Sequence, residues 1–226
     1  MTIKVKVCGI TDEYEMKKIE KLNVDHIGFI NIERSKRNLS LDKIEYLENK
    51  LIYKRVGTLV LEPKNAYKTI EKINRTQIFN VQLHSLNYSE IRYLKWLNQY
   101  YNCNHLNVTK VIGLQNTIDE KKINEIKQHC LYADNILLDY IKDGLTGGTN
   151  KQIPIETAVK VSKIIKSFNN KTQVTLAGGL NLDYIESIQE KLSHFDMIDL
   201  NSGVENEPGR KNISQIKKIL KTIEET

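Results

Sequence analysis

No apolar run in this sequence approaches the ~18 residues that a membrane-spanning helix needs. The opening residues, MTIKVKVCGI, lack the apolar core and small-residue cleavage site of a secretory signal, so a cytoplasmic location is expected. Cysteine is scarce: Cys8, Cys103 and Cys130 are odd in number and widely spaced, with no C-x-x-C. That excludes a disulfide framework and the usual zinc clusters. The five histidines (His26, His84, His105, His129 and His194) show no H-x-x-x-H spacing, and no metal is expected. Basic residues are in excess, with a net charge of +6, but they are scattered among Glu and Asn on helical patterns. A nucleic-acid footprint would be clustered and accompanied by a motif, so solvated helix faces are the simpler account. The same excess suits a small phosphorylated, carboxylate-bearing ligand.

What is present is a regular alternation. Short β-branched runs at residues 3–7, 26–30, 55–61, 78–83, 108–114, 135–138, 172–176 and 197–200 read as strands. Amphipathic stretches near 13–22, 41–50, 63–73, 88–101, 118–132, 155–168, 181–191 and 212–223 read as helices, with Asp12, Ser40 and Asn181 as N-caps. Consecutive βα units imply a parallel sheet, and eight of them predict one (β/α)8 barrel over residues 1–226. A doubly wound open sheet is the competitor. It usually carries G-x-G-x-x-G after the first strand, where this chain has CGITD.

In such barrels the chemistry lies at the C-terminal ends of the strands, so polar residues there are the candidates. Cys8 stands at the exit of the first strand, followed by Gly9; a small buried hydrophobe is its plain alternative. Alternation puts Lys4 and Lys6 on its face, and a nearby Lys6 would favour the thiolate. Lys6 itself needs a partner, for which Asp199 is the candidate. Asp139 follows the apolar run NILL and opens YIKDGLTGGTN, which reads as a long mobile loop over a site. Gln82 and His84 share a face at the fourth strand's end. Arg37, in ERSKRN, could clamp a carboxylate bidentately or be part of a solvated basic loop. Gly178–Gly179 and Ser202–Gly203, after the last two strands, are the expected phosphate-binding turns.

The segments KVCGIT, HIGFI…RSKR, VQLH, ILLD…GGT, LAGGLN and DLNSGVE…PGRKN, in this order along the whole chain, resemble the phosphoribosylanthranilate isomerases of tryptophan biosynthesis. Related histidine-pathway isomerases carry aspartate where Cys8 stands. The resemblance implies an Amadori rearrangement with Asp139 as general acid and Cys8 as general base. It implies Arg37 on the anthranilate carboxylate, Gln82 and His84 near the substrate, and Gly178, Gly179, Ser202 and Gly203 around the phosphate. No cofactor or metal is implied, and the partner is a small phosphorylated substrate, with no nucleic acid or membrane, for a monomer or homodimer. The chain departs from the family pattern at Asn201, usually serine, and at GGTN, usually G-G-T-G. Two other readings stand beside this one: a non-catalytic sugar-phosphate-binding barrel, and an isomerase of the histidine-pathway analogue. The latter would need glycine turns after the third and fourth strands, where LEPKN and LHSLN stand.

Overall fold

The computed structural model describes residues 3–52, 56–102, 104–142, 145–146 and 152–225. Among them, eight parallel strands close into a barrel: β1 (Lys4–Cys8), β2 (His26–Asn31), β3 (Val56–Leu61), β4 (Asn80–Leu83), β5 (Asn107–Leu114), β6 (Asn135–Lys142), β7 (Gln173–Leu176) and β8 (Met197–Leu200). Each pairs with its neighbours in chain order, and β1 with β8 completes the ring, Lys6 opposite Asp199. The outer layer is α1 (Glu13–Glu20), α2 (Leu41–Glu48), α3 (Ala66–Thr76), α4 (Tyr88–Tyr101), α5 (Glu120–His129), α6 (Ile155–Phe168), α7 (Leu182–Ser187) and α8 (Ile213–Glu224). The (β/α)8 expectation holds.

Period-two alternation explains how the barrel holds together. Val5, Val7, Ile27, Phe29, Leu59, Leu61, Ile136, Leu138, Ile198 and Leu200 point outward into a buried apolar layer. Against it lie helix stripes such as Ile70/Ile73 of α3 and Ile216/Ile219/Ile223 of α8. Inside, the barrel is polar: Lys6, Thr58, Gln82, Asn135, Thr175 and Asp199 are all buried. Helix starts follow side-chain caps: Asp12, Ser40 and Asn181 each accept the backbone N–H three residues on.

The boundaries differ from expectation at four places that matter. β1 runs through Cys8, so the thiol is held by the strand itself. β6 does not leave the sheet at Leu138. It continues to Lys142 and pairs antiparallel with Leu145–Thr146, which puts Asp139 inside a strand and not at the start of a loop. Gly144, Gly147 and Gly148, expected in that loop, lie outside the described residues, as do Cys103 and Arg55. α3 starts late because Asn65, two residues after Pro63, is its cap, and it runs on until Gln77 turns left-handed at φ 57°. α7 stops at Ser187 and is followed by a 3-10 turn, Gln189–His194.

At the end of the barrel away from these strand exits, three aspartates repeat one device. Asp25, Asp134 and Asp196, each just before an even-numbered strand, accept the N–H of Val5, Val108 and Val174 on the preceding strand. Glu48 is also at this end, pressed against β3. A Cβ at Gly57 would lie 1.8 Å from its Oε2, so the carboxyl occupies the space that this glycine leaves open. Oε2 is buried without a hydrogen-bond partner among the described residues, and burial pushes the carboxyl up to about 7. The folded state therefore holds this proton more tightly than the unfolded chain. Stability falls as pH rises from the ordinary carboxylate range through about 7. Glu48→Gln is expected to match wild type in urea midpoint at about pH 4 and to exceed it by about 1–3 kcal/mol at about pH 8. Equal stability of the two proteins at both pH values would remove this assignment.

Candidate active site

At the C-terminal ends of the strands a cavity of about 330 Å³ opens, lined by Cys8, Arg37, Gln82, His84, Asp139, Gly178, Gly179, Asp199 and Ser202 among others. Cys8 is 2% exposed. Its Sγ fills the space that Gly28 leaves on β2, where a Cβ would come within 2.7 Å of the sulfur. Ile30, Ile32 and Val60 pack beside it. Gly9 turns the chain away with φ +77°, and a side chain there would strike Arg37 and Asn201. The thiol thus sits at a strand exit with backbone, not side chain, after it.

One layer below, Lys6 Nζ donates to Asp199 Oδ2 and to Gln82 Oε1, each at 2.8 Å. Burial opposes the ammonium charge, but Asp199 and the thiol outweigh it and hold Lys6 above its ordinary value. The expected lysine–aspartate pair is present. Its expected effect on the thiol is not: burial pushes Cys8 above its usual range, against the pull of Lys6 and Lys211. A cation beneath a fully enclosed sulfur does not compensate for the missing water.

Asp139 lies three strands round the barrel from Cys8, on β6, and Oδ1 accepts the N–H of Tyr140 at 2.8 Å. Gln82, with its oxygen taken by Lys6, turns its amide nitrogen toward His84 Nε2, 3.5 Å away. Burial brings His84 down to about 4, so the ring is neutral near pH 7. Beneath its loop, Lys110 Nζ ties the carbonyls of His84 and Ser85 to β5.

Arg37 does clamp a carboxylate in two places, but it is the protein's own. Its Nε and Nη2 donate to the two oxygens of Glu205, the first at 2.8 Å. Lys211 Nζ joins from the other side, 2.5 Å from Glu205 Oε1 and 2.9 Å from Asn201 Oδ1. Glu205 and Lys211 belong to a hairpin, Glu205–Glu207 with Arg210–Lys211, turned at Gly209 and held against the loop after β1 through Thr11 and Asp12. Burial alone would raise Glu205, yet Arg37 and Lys211 hold it below the usual carboxylate range. Sequence reading missed both Glu205 and Lys211. Their signal was a glycine turn between residues of opposite charge, VENEPGRK, directly after the last strand.

The glycine turns come together as expected, with different duties. Gly178 (φ +91°) and Gly179 (φ +60°) have left-handed backbones, and their N–H groups reach no protein acceptor among the described residues. Ser202 opens a 3-10 turn across from them. Gly203 does not line the cavity. A Cβ there would meet the Leu180 carbonyl oxygen at 2.2 Å, so its bareness lets the two turns touch.

A closed parallel barrel whose mouth holds a thiol and a carboxyl group in one cavity beside two glycine turns has the architecture of a (β/α)8-barrel acid–base enzyme. A sequence profile of the family described as N-(5'phosphoribosyl)anthranilate (PRA) isomerase matches residues 5–222, and the chain belongs to that family. It is 31% identical over 224 residues to the N-(5'-phosphoribosyl)anthranilate isomerase of Methanothermobacter marburgensis, covering 98% of this chain and 95% of that one. The phosphoribosyl anthranilate isomerase structure from Thermotoga maritima superposes with a TM-score of 0.80 at 22% identity, over 99% of this chain and all of that one. Another phosphoribosyl anthranilate isomerase structure, in complex with reduced 1-(O-carboxyphenylamino)-1-deoxyribulose 5-phosphate, superposes at 0.76 with 21% identity, over 99% of this chain and 100% of that one. No helix among the described residues is long and apolar enough to cross a membrane.

Removing one partner from the hairpin network leaves buried cations unpaired, which typically costs about 3–5 kcal/mol. Glu205→Gln keeps the shape and loses the charge. It is expected to lower stability by about 3 kcal/mol in denaturant titration. A variant as stable as wild type would show that the three-way contact is not what holds the hairpin down.

Proposed function

We propose that this chain catalyses the Amadori rearrangement of N-(5-phosphoribosyl)anthranilate to 1-(2-carboxyphenylamino)-1-deoxyribulose 5-phosphate. The observation that carries the reading is one cavity shared by Cys8 on β1 and Asp139 on β6, bounded at β7 and β8 by Gly178, Gly179 and Ser202. The family membership and the reduced product analogue held by a structural relative supply the substrate class.

The substrate's two anionic ends suit the two ends of the cavity. The phosphate would rest on the N–H groups of Gly178 and Gly179 with Ser202, and the anthranilate carboxylate would lie toward Arg37, whose Nη1 is left over from the Glu205 clamp. Asp139 protonates the ribose ring oxygen. The C1′–O bond breaks, and the nitrogen lone pair forms the C1′=N iminium. Cys8, as thiolate, removes the C2′ proton. The released electron pair becomes the C1′=C2′ bond of the enolamine and neutralises the iminium. The enol oxygen then loses its proton as C1′ gains one, which gives the ketone. The ring-oxygen protonation and the C2′ deprotonation each use a side chain of this protein, and such assistance is typically worth ~10²–10⁴-fold in rate. The apolar neighbours of Cys8 keep water from competing for the thiolate.

Conversion of freshly prepared substrate, followed by loss of anthranilate-type fluorescence, tests the reading. Wild type is expected to turn over, and Cys8→Ser and Asp139→Asn each to lose ~10²–10⁴-fold in kcat with folding intact. A folded, inactive wild type would leave only a binding role. Because burial lifts the Cys8 thiol, thiolate is scarce near neutrality and accumulates as pH rises. Alkylation of Cys8 by iodoacetamide, which needs the thiolate, is therefore expected to quicken steadily from about pH 6 to about pH 9, and a rate that levels off below about pH 8 would contradict a raised thiol.

A further inference from the structure

Lys110 lies where a charge is least expected. On β5 it is the register partner of Leu83 and faces outward, among Val108, Ile112 and Leu114 of the apolar layer between barrel and helices. It is 6% exposed, and its Nζ forms no ion pair among the described residues. Burial brings the ammonium down to about 8, so the charge is kept there at a cost. Its partners are two carbonyls, those of His84 at 3.2 Å and Ser85 at 2.9 Å, in the turn between β4 and α4. An ammonium has three donors at the end of a four-carbon stem, enough to reach two successive carbonyls from the next strand. That turn is strained: Leu86 takes φ +65°, a left-handed backbone that leucine seldom adopts. Such a conformation persists only where its surroundings over-determine it. Lys110 grips the turn from β5, Ser85 Oγ donates to the Pro63 carbonyl, and Asn87 caps α4 directly afterwards.

We propose that Lys110 is a positioning residue of the active site, fixing the turn after β4 so that the His84 ring is held against the ligand. This rests on the isomerase reading above. His84 is the first residue after β4 and lines the cavity, its Nε2 3.5 Å from the amide nitrogen of Gln82. Its backbone is held on both sides. The N–H donates to the Leu61 carbonyl at 2.9 Å, and its own carbonyl accepts from Lys110. Both peptide groups that flank its Cα are therefore fixed, and the ring moves only about its own side-chain bonds. Lys110 lies outside the barrel interior, so its influence on a ligand passes through His84. A charge buried in the apolar layer then has a reason tied to the site, since a misplacement of about 1 Å can cost roughly 100-fold.

A double-mutant cycle tests this. Wild type, Lys110→Met, His84→Ala and the double variant are compared in calorimetric affinity for reduced 1-(2-carboxyphenylamino)-1-deoxyribulose 5-phosphate and in kcat/KM for the substrate. Each single variant is expected to lose roughly 10–100-fold in both. The double variant is expected to fall within about 2-fold of His84→Ala, because a residue that acts through His84 has nothing to position once the ring is gone. Losses that multiply in the double variant would make Lys110 a general stabiliser of the barrel and overturn the proposal. Wild-type behaviour of either single variant overturns it too, and in each case turnover by wild type leaves the isomerase reading intact. Wild type that binds the analogue but turns over no substrate overturns that reading alone, and the affinities still decide the role of Lys110. Wild type that does neither overturns both. If Lys110→Met does not fold, Lys110→Gln, with a neutral donor on a shorter stem, takes its place in the cycle.

Discussion

An ammonium group and a carboxylate, both almost without exposure, meet where the first and last strands of the barrel close on each other. Lys6 and Asp199 are register partners across β1 and β8, and their 2.8 Å contact occupies the interior just beneath the mouth. A buried ion pair is poor evidence of stability, because desolvation cancels much of the attraction. Its value lies in direction. With its charge balanced by Asp199, Lys6 also fixes Gln82, whose amide then faces His84. The thiol of Cys8 rests above this layer, and both Cys8 and Asp199 line the cavity. A leucine–valine interior would have made a firmer barrel with nothing under the mouth to orient a ligand.

The second layer of control comes from outside the barrel. The hairpin after β8 brings Glu205 and Lys211 back to the loop that follows β1, where they fasten Arg37 from the loop after β2. Two elements distant in sequence are tied at one carboxylate. The cost is that the arginine's fork is partly used before any ligand arrives; the gain is a guanidinium that does not have to be ordered on binding. Gly9, Gly28 and Gly203 make the same point in steric terms. Each is bare because a specific neighbour, Arg37, Cys8 Sγ or the Leu180 carbonyl, already fills the space a side chain would take.

The barrel was legible because alternation of β-branched runs with amphipathic stretches is a property of local sequence, and so were the caps at Asp12, Ser40 and Asn181. Lys6 with Asp199 was also readable, since a lysine on the inward face of a strand demands a partner. What did not show was anything set by burial in three dimensions. Lys6 alone suggested an activated thiol, whereas the apolar packing by Ile30, Ile32 and Val60 reverses the sign. Arg37 suggested an open clamp, and only the fold brings Glu205, 168 residues away, into its fork. Glycines after Asp139 suggested a loop starting there, but strand pairing extends β6 past it. Gly203 read as a ligand contact from its place after the last strand, and only the fold shows that its bareness also gives clearance between two turns.

The most direct measurement of the central claim, that this site removes the C2′ proton with Cys8, is single-turnover conversion of substrate carrying deuterium at C2′ beside unlabelled substrate. The account predicts that deuterium slows wild-type turnover, because the bond to C2′ breaks in the step the thiolate performs. Identical rates for the two substrates, with product still formed and Cys8→Ser as fast as wild type, would contradict it.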